Sequence, residues 1–213
     1  MEMFRKKIEN LEAVSPVVGV MLMLVVTIII AAVVSGFAGG LVGNTQTAPQ
    51  AAIDVRIGYG DVGMGSNGYN MEFELLSGDS MPTKDLAIIT YYTNNSGKTF
   101  HHEQTATSEA THFVTKYGSE YYIPTPFLND MRDGYAYATP SKWFGNFTWK
   151  TGDIMDTGGS YSEAGLAQML GISEPDSPYE IGDPDFGTGS VVDVKIMHIP
   201  SGKYIYDKEV VVA

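Results

Sequence analysis

Two glycine runs have the residue spacing of a phosphate-binding loop. Residues 58–63, GYGDVG, and residues 63–68, GMGSNG, both satisfy G-x-G-x-x-G, a pattern whose glycines let backbone amides approach a pyrophosphate. That chemistry also requires a helix directly after the glycines, because the helix N-terminus binds the anion. Here the sequence that follows alternates as a strand does. The glycines therefore predict a hairpin or a loop and no nucleotide site.

Histidine nitrogens are a second group with possible chemistry, since imidazole is a ligand for transition metals. Four candidate ligands lie close together in the sequence: His101, His102, Glu103 and His112. No cysteine accompanies them, and no two histidines have the i, i+4 spacing that places two ligands on one helix face. We interpret them as polar surface residues, and we expect the protein to bind no cofactor.

Carboxylates are concentrated in a Pro- and Gly-rich segment, residues 174–189, EPDSPYEIGDPDFGTG. Oxygen ligands in a flexible loop suit calcium, but this spacing lacks the EF-hand order that ends in a bidentate glutamate. We interpret the segment as a solvated acidic loop. The alternative is a calcium site formed by Asp176, Glu180, Asp183 and Asp185.

Two asparagines occupy glycosylation sequons of the form N-x-S/T. They are Asn94 in NNS and Asn146 in NFT. Sugar attachment at these positions requires an exported domain. No Ser/His/Asp motif anchors a hydrolytic site, so we expect a protein that is not an enzyme.

Composition restricts the partners of the chain. It has 213 residues, with 13 basic and 25 acidic side chains and a net charge of -12. The first thirteen residues contain three charges of each sign, so the negative excess belongs to the remainder. Nucleic-acid binding requires basic patches, and we expect none here. Cysteine is absent, so core packing or assembly must replace disulfides.

A long apolar segment near the start precedes all of these groups. No charged residue occurs between Glu12 and Asp54, and residues 17–34 are apolar except for a glycine and a threonine. A run of this length crosses a hydrocarbon core of ~30 Å as a helix. Ser15 and Pro16 form a helix start signal, because serine caps a free amide and proline lacks one. We predict a helix over residues 14–43.

Charge asymmetry predicts the orientation of this helix. Arg5, Lys6 and Lys7 precede the apolar segment, and the next positive charge is Arg56. By the positive-inside rule, the N-terminus is cytoplasmic and the large C-terminal part faces outward.

Small residues near the end of the segment form two ridges at a spacing of four. Such ridges let helix backbones approach closely. The alternative is that the helix frays at Gly36, because glycine is costly in a helix. The ridge residues are Ala31, Ser35, Gly39 and Gly43 in one row, and Ala32, Gly36 and Gly40 in the other.

The residues alone leave three interpretations of the apolar segment open. One is a signal peptide that is cleaved near Ala38, after a small-residue stretch. Another is a plain signal anchor. In the third, a protease cuts before the apolar run, and the mature protein keeps the helix.

The segment EAVSPVVGVMLMLVVTIIIAAVV, residues 12–34, resembles the N-terminus of archaeal type IV pilins, which carry a class III signal peptide. In that family a prepilin-peptidase-type membrane protease cuts between a charged leader and an opening of the form Ser-Pro-Val-(Ile/Val)-Gly-Val. The resemblance implies a leader over residues 1–13, with cleavage between Ala13 and Val14. It also implies that the helix leaves the membrane to pack against identical subunits in a helical filament.

The remainder of the chain has the pattern of a β-rich domain. A small, polar linker over residues 44–51 precedes it, and the domain covers residues 52–213. Strand-like runs begin at Ile53, Tyr69 and Asp85, with less clear ones at residues 113–118 and 145–152. Residues 191–199 and 203–212 alternate around PSG, which predicts a hairpin. One short helix is predicted over residues 162–170.

The predicted fold class is therefore mostly β with one long N-terminal α-helix, and the C-terminal domain is antiparallel and β-sandwich-like. We expect a structural subunit of an archaeal type IV pilus-like surface filament, with a role in adhesion or surface attachment. Before assembly it is a membrane-inserted precursor, and the mature protein is extracellular. The alternative is a membrane-anchored extracellular binding protein, in which the aromatic segment of residues 117–127, YGSEYYIPTPF, lines a carbohydrate site.

Overall fold

A computed structural model of the chain describes residues 15–41, 46–61, 67–108, 112–116, 119–128, 139–158, 164–172 and 181–213. The chain divides into two compact units, residues 1–45 and residues 46–213. The first unit contains helix α1, Ser15–Leu41, which has 27 residues and no charged side chain. The predicted helix is confirmed, and it continues through Gly36 instead of fraying there. Its predicted last residues, 42 and 43, lie outside the described residues.

The second unit contains two four-stranded sheets among its described residues. The first sheet has the strand order β1-β2-β10-β8, and the second has the order β12-β11-β4-β5. All of these strand pairs are antiparallel. The strands of the first sheet are β1 (Ala51–Asp61), β2 (Asn67–Gly78), β8 (Phe127–Leu128) and β10 (Ile154–Asp156). Those of the second are β4 (Leu86–Thr93), β5 (Thr99–Gln104), β11 (Val191–His198) and β12 (Lys203–Val211).

Two short ladders accompany these sheets, and both are antiparallel. One pairs β3 (Met81–Pro82) with β9 (Thr148–Trp149). The other pairs β6 (His112–Lys116) with β7 (Ser119–Ile123). The β-rich, antiparallel character predicted from the sequence is confirmed.

Apolar side chains at alternating positions of the strands form the core. Met71, Phe73 and Leu75 on β2 are fully buried, as are Val194 and Ile196 on β11. These side chains belong to one hydrophobic cluster that draws on both sheets, so the sheets pack face to face. Burial of each large apolar side chain contributes roughly 1.5–3 kcal/mol.

The two open sides of this sandwich are closed differently. On one side the edge strands β1 and β12 meet, because an isolated parallel bridge joins Ile57 to Val212 and the Ala213 amide donates to the Ile57 carbonyl at 2.9 Å. On the other side lies helix α2, Ala164–Leu170, which contacts β2 of the first sheet and β4 and β5 of the second. The Thr90 hydroxyl of β4 donates to the Met169 carbonyl of this helix.

Several predicted boundaries differ from the structure. Ala51, the last predicted linker residue, pairs with Gly78 as the first residue of β1. The strand predicted over residues 145–152 is reduced to β9, since Gly145 and Gly152 adopt positive φ angles of 93° and 88°. The sequence pattern does not predict strand β5, because the histidines and the acid in it are typical of a polar surface. The short helix is confirmed over Ala164–Leu170, and residues 162 and 163 of its predicted range lie outside the described residues. The terminal hairpin is confirmed.

Candidate functional site: the apolar helix and the surface of the β domain

Helix α1 is apolar on every side. Residues 17–36 have a mean hydropathy of 3.2, and every one of their side chains is exposed within the chain. Among the described residues, this is the helix that is long and apolar enough to cross a membrane. A helix that is hydrophobic all round requires lipid or other apolar helices around it. The sequence of α1 therefore requires apolar surroundings.

The polar groups of α1 are compatible with an apolar environment. The Thr27 hydroxyl donates to the Leu24 carbonyl at 2.9 Å, so it needs no partner outside the helix. This bond removes the cost of an unsatisfied hydroxyl in lipid. The helix can therefore be surrounded by lipid or by protein without a stranded polar side chain at this position.

Six of the seven predicted ridge residues lie on α1, and their role in helix packing stays a prediction. Ala31, Ser35 and Gly39 share one face, and Ala32, Gly36 and Gly40 share a neighbouring face, because residues four apart are adjacent on a helix. A Cβ added at Gly36 meets no atom within 4 Å, so the chain itself leaves this face open. Gly43, and the predicted processing residues Ala13 and Val14, lie outside the described residues.

The histidine group makes contacts within the fold. The His101 ring stacks on Tyr91 with 4.4 Å between ring centroids, and its Nδ1 lies 3.1 Å from the Thr90 carbonyl oxygen. His102 Nε2 lies 3.0 Å from Oε1 of Gln104, and burial lowers the pKa of His102 from its ordinary value. In the described part of the chain, no three His, Cys, Asp or Glu side chains are arranged to hold a metal.

The acidic loop contains one carboxylate with a structural role. Asp183 is only 8% exposed. Its Oδ1 accepts the Asp185 amide at 2.9 Å, and its Oδ2 accepts Nδ2 of Asn94 at 3.0 Å. Asp176 and Glu180 lie outside the described residues, so the calcium site stays an untested alternative.

The two sequon asparagines differ in their surroundings. Asn94 is half-buried, and it also accepts hydrogen bonds from the Lys98 amide and the Ser96 hydroxyl at 3.0 and 2.6 Å. Asn146 is exposed, and its Nδ2 donates to the Pro140 carbonyl at 2.9 Å. Glycosylation of either residue stays a prediction.

The described glycines of the two glycine runs, and much of the described aromatic segment, lie on strands. Gly58 and Gly60 lie in β1 and Gly68 lies in β2, a strand rather than a helix. Gly63 and Gly65 lie outside the described residues. In the aromatic segment, Phe127 is buried at 2% exposure, which places it in the core. The side chains of residues 117–123 lie outside the described ones.

Sequence reasoning missed a groove on the β domain. It has a volume of about 690 Å³, and it lies where β1 and β12 run side by side. Residues of β1, of its partner β2 and of β12 line it, among them Arg56, Tyr59, Glu72, Tyr206 and Lys208. The pairing of β1 with β12 connects distant parts of the chain, so no local pattern reveals the groove.

The protein belongs to the general class that combines one apolar helix of membrane length with a separate β-rich unit. Residues 12–53 match the family model described as archaeal type IV pilin, N-terminal. This segment is therefore similar to the N-terminus of archaeal type IV pilins, as the sequence resemblance indicated. This match supports a structural, non-enzymatic subunit that assembles into a filament. No curated protein and no solved structure matches the chain.

Proposed function

We propose that this chain is the structural subunit of an archaeal type IV pilus-like surface filament with a role in adhesion or surface attachment. The helix α1 packs against identical helices in the filament core, and the β domain is displayed at the filament surface. The observation that carries the proposal is the complete exposure of an apolar helix within a segment that matches a pilin family model.

During assembly, helix α1 exchanges one apolar environment, lipid, for another, the neighbouring helices. Before assembly, lipid surrounds residues 17–36, and in the filament the same surface is covered by neighbouring helices. Because both surroundings are apolar, the hydrophobic cost of leaving lipid is offset by burial among subunits. Association of the helices then depends on van der Waals packing, which requires close approach of their backbones.

Maturation is part of the proposal. A prepilin-peptidase-type protease removes residues 1–13 and leaves Val14 as the first residue, which frees the helix start of its charged leader. The precursor has a cytoplasmic N-terminus, so the domain is already outside when the leader is removed. Mass spectrometry of surface filaments should detect a peptide that begins at Val14. Peptides that begin at Met1 or after Ala38 contradict this step.

The assembly test replaces Gly36 and Gly40 together, either by leucine or by alanine. Both changes raise helix propensity, but leucine adds far more bulk to the ridge than the single methyl group of alanine. If close packing is needed, the alanine pair should still form filaments, whereas the leucine pair should form few while its membrane level stays normal. Measurement of membrane-bound subunit and of sheared surface filaments in the native host distinguishes these outcomes.

Other outcomes of this test overturn the proposal or its details. Normal filament yield from the leucine pair removes the claim that these glycines act in assembly. Loss of filaments in both pairs points to a required flexible hinge, since alanine also stiffens the helix. Absence of filaments from the unmodified chain favours a membrane-anchored binding protein instead.

A further inference from the structure

The chain reaches the β domain through residues 46–50, which precede β1 and have no regular secondary structure. Helix α1 belongs to the other compact unit, so any tension that passes along the chain from that unit arrives at this point. The first strand that it meets is β1, an edge strand of its sheet. Among the described strands, β1 pairs with β2 along its length and meets β12 only near Ile57. A strand held mainly from one side separates from a sheet more easily than an inner strand.

The first residues of β1 have little side-chain packing to hold them. Ala51 and Ala52 have small side chains, and Ala52 is exposed. The register of the β1–β2 ladder shifts between Ala52 and Ile53, where Leu76 has no partner in the ladder and is 52% exposed. The first side chain of the strand that lies in the core is that of Ile53. Tension applied before Ala51 would therefore separate this end of the ladder one residue at a time, unless another contact holds it.

Gln50 makes two hydrogen bonds that extend the ladder by one step. Its amide donates to Oδ2 of Asp79 at 2.9 Å, and its carbonyl accepts the Asp79 amide at 2.8 Å. A carboxylate is a stronger acceptor for an amide than a neutral oxygen is. Gln50, Gly78 and Asp79 together form the tether contact.

Gly78 lets the two backbones of the tether contact come together. Its φ angle is 122°, a conformation that glycine adopts far more readily than other residues. A Cβ at this position would overlap the carbonyl oxygen of Gln50 and the backbone of Ala51. The conformation and the close approach therefore both exclude a side chain here.

The segment that receives Gln50 is itself fixed to the core. Met81, two residues after Asp79, is 1% exposed and pairs with the fully buried Trp149. On the other side of β2, the Gly152 amide donates to the Leu75 carbonyl at 2.8 Å, and the Thr151 hydroxyl donates to the Gly78 carbonyl at 3.4 Å. A residue that is bound to Asp79 is therefore connected to the core without the help of β1.

We infer that the tether contact holds the start of β1 in place when the chain is pulled through residues 46–50. Tension that arrives at Gln50 passes through its two hydrogen bonds into the segment of Gly78 and Asp79, so Ala51 and Ala52 are not loaded first. Asp79 is thus a positioning residue that acts on the strand through Gln50. The inference rests on the proposed function, because adhesion puts tension on a chain whose helix is anchored and whose domain holds a surface.

The test pulls the full chain, solubilised in detergent, at a constant force in optical tweezers. The chain contains no cysteine, so Gln46→Cys and Val191→Cys supply two defined attachment points. Both residues are exposed, and Val191 lies on the inner strand β11. Asp79→Ala should make the first opening roughly fivefold faster, because it removes one hydrogen bond of ordinary net strength. Asp79→Asn should restore the rate, because its amide oxygen can accept the same bond.

Two matched pairs of variants separate the tether contact from general weakening. Asp207→Ala removes a carboxylate that pairs with Lys195 at 2.7 Å in the other sheet, and it should open as the unmodified chain does. Gly78→Ala should accelerate opening more than Gly189→Ala. Gly189 also has a positive φ angle, 92°, but a Cβ there meets no atom within 4 Å. Hydrogen exchange of the peptide that contains Gln50, measured without force, reports whether the contact itself has opened.

Three results would overturn the inference. The first is an unchanged opening rate in Asp79→Ala. The second is an equal acceleration by Asp207→Ala, which would show that loss of any paired carboxylate weakens the domain. The third is faster hydrogen exchange at Gln50 in Asp79→Ala without faster opening, which would show that the contact carries no load. None of these measurements uses filaments, so failure here is distinct from failure of the assembly proposal.

Discussion

The side chains of Asn94 and Asp183 are joined by a hydrogen bond of 3.0 Å from Nδ2 to Oδ2, across 89 positions of the chain. Asn94 follows β4 directly, and Asp183 lies in the loop that precedes β11. The carboxylate is 8% exposed, so its charge has little access to water. Its negative charge contributes, after burial, to a raised pKa of the neighbouring Tyr92. Asn94 therefore satisfies a nearly buried carboxylate and fixes the loop against the sheet.

Replacement of Asn94 by alanine should destabilise the β domain. The change removes the donor to Asp183 and the acceptor for Lys98 and Ser96. An unsatisfied buried polar group costs roughly 1–3 kcal/mol, and we expect a loss in this range. Urea unfolding of the full chain, followed by the fluorescence of the buried Trp149, measures it. Asn95→Ala is the control, since Asn95 is exposed, and an equal loss there would contradict the explanation.

Glycosylation should be more complete at Asn146 than at Asn94. The sugar is attached to Nδ2, which at Asn94 faces Asp183 in a half-buried turn but at Asn146 lies on the exposed surface. A glycan at Asn94 has to be accommodated beside a nearly buried carboxylate. Mass spectrometry of tryptic peptides from protein isolated from the native host gives both occupancies. Higher occupancy at Asn94 would refute this assignment, and Asn146→Gln should abolish the signal at that site.

Gly171→Ala should be much more damaging than Gly152→Ala. Both glycines have positive φ angles, 70° and 88°, so each substitution introduces backbone strain of roughly 1–2 kcal/mol. At Gly171, which follows α2, an added Cβ also overlaps the backbone carbonyl of His101, whereas at Gly152 it meets nothing within 4 Å. We expect a further loss of roughly 1–3 kcal/mol from this overlap. Comparison of the two urea midpoints measures the difference, and equal midpoints would show that β5 moves away from α2 at no cost.

Acid should destabilise the domain partly through His102. Burial lowers the pKa of its imidazole, although the hydrogen bond to Gln104 acts in the opposite direction. The unfolded chain therefore takes up a proton more readily, so the stabilising contribution present above an ordinary pKa of about 6.5 is lost as the pH falls below it. Between about pH 7 and pH 5, the unmodified chain should lose more stability than His102→Gln, as measured by unfolding in urea.

A control range isolates the histidine in that experiment. Between about pH 8 and pH 9 a histidine with a lowered pKa is neutral in both states, so the two proteins should change in parallel. A parallel change at acidic pH as well would show that protonation of His102 has no part in acid sensitivity.

The sequence by itself determined the features that depend on neighbouring residues. The helix α1 follows from an uninterrupted apolar run and a Ser-Pro start, and no tertiary contact is needed for either. The hairpin of β11 and β12 follows from alternation on both sides of a turn at Gly202, whose φ is 64°. The pilin resemblance also rests on contiguous residues, and it was confirmed by the family match to residues 12–53.

The tertiary structure alone decided which distant residues meet. Strand β5 has polar residues at exposed positions, and it is a strand because β4 pairs with it and α2 packs on it. The contact of Asn94 with Asp183 depends on the position of a loop whose composition predicts only solvation. The groove likewise exists because the edges of β1 and β12 converge at Ile57 and Val212. Such pairings depend on how the sheets stack, and local propensity carries no information about partners so far apart in the chain.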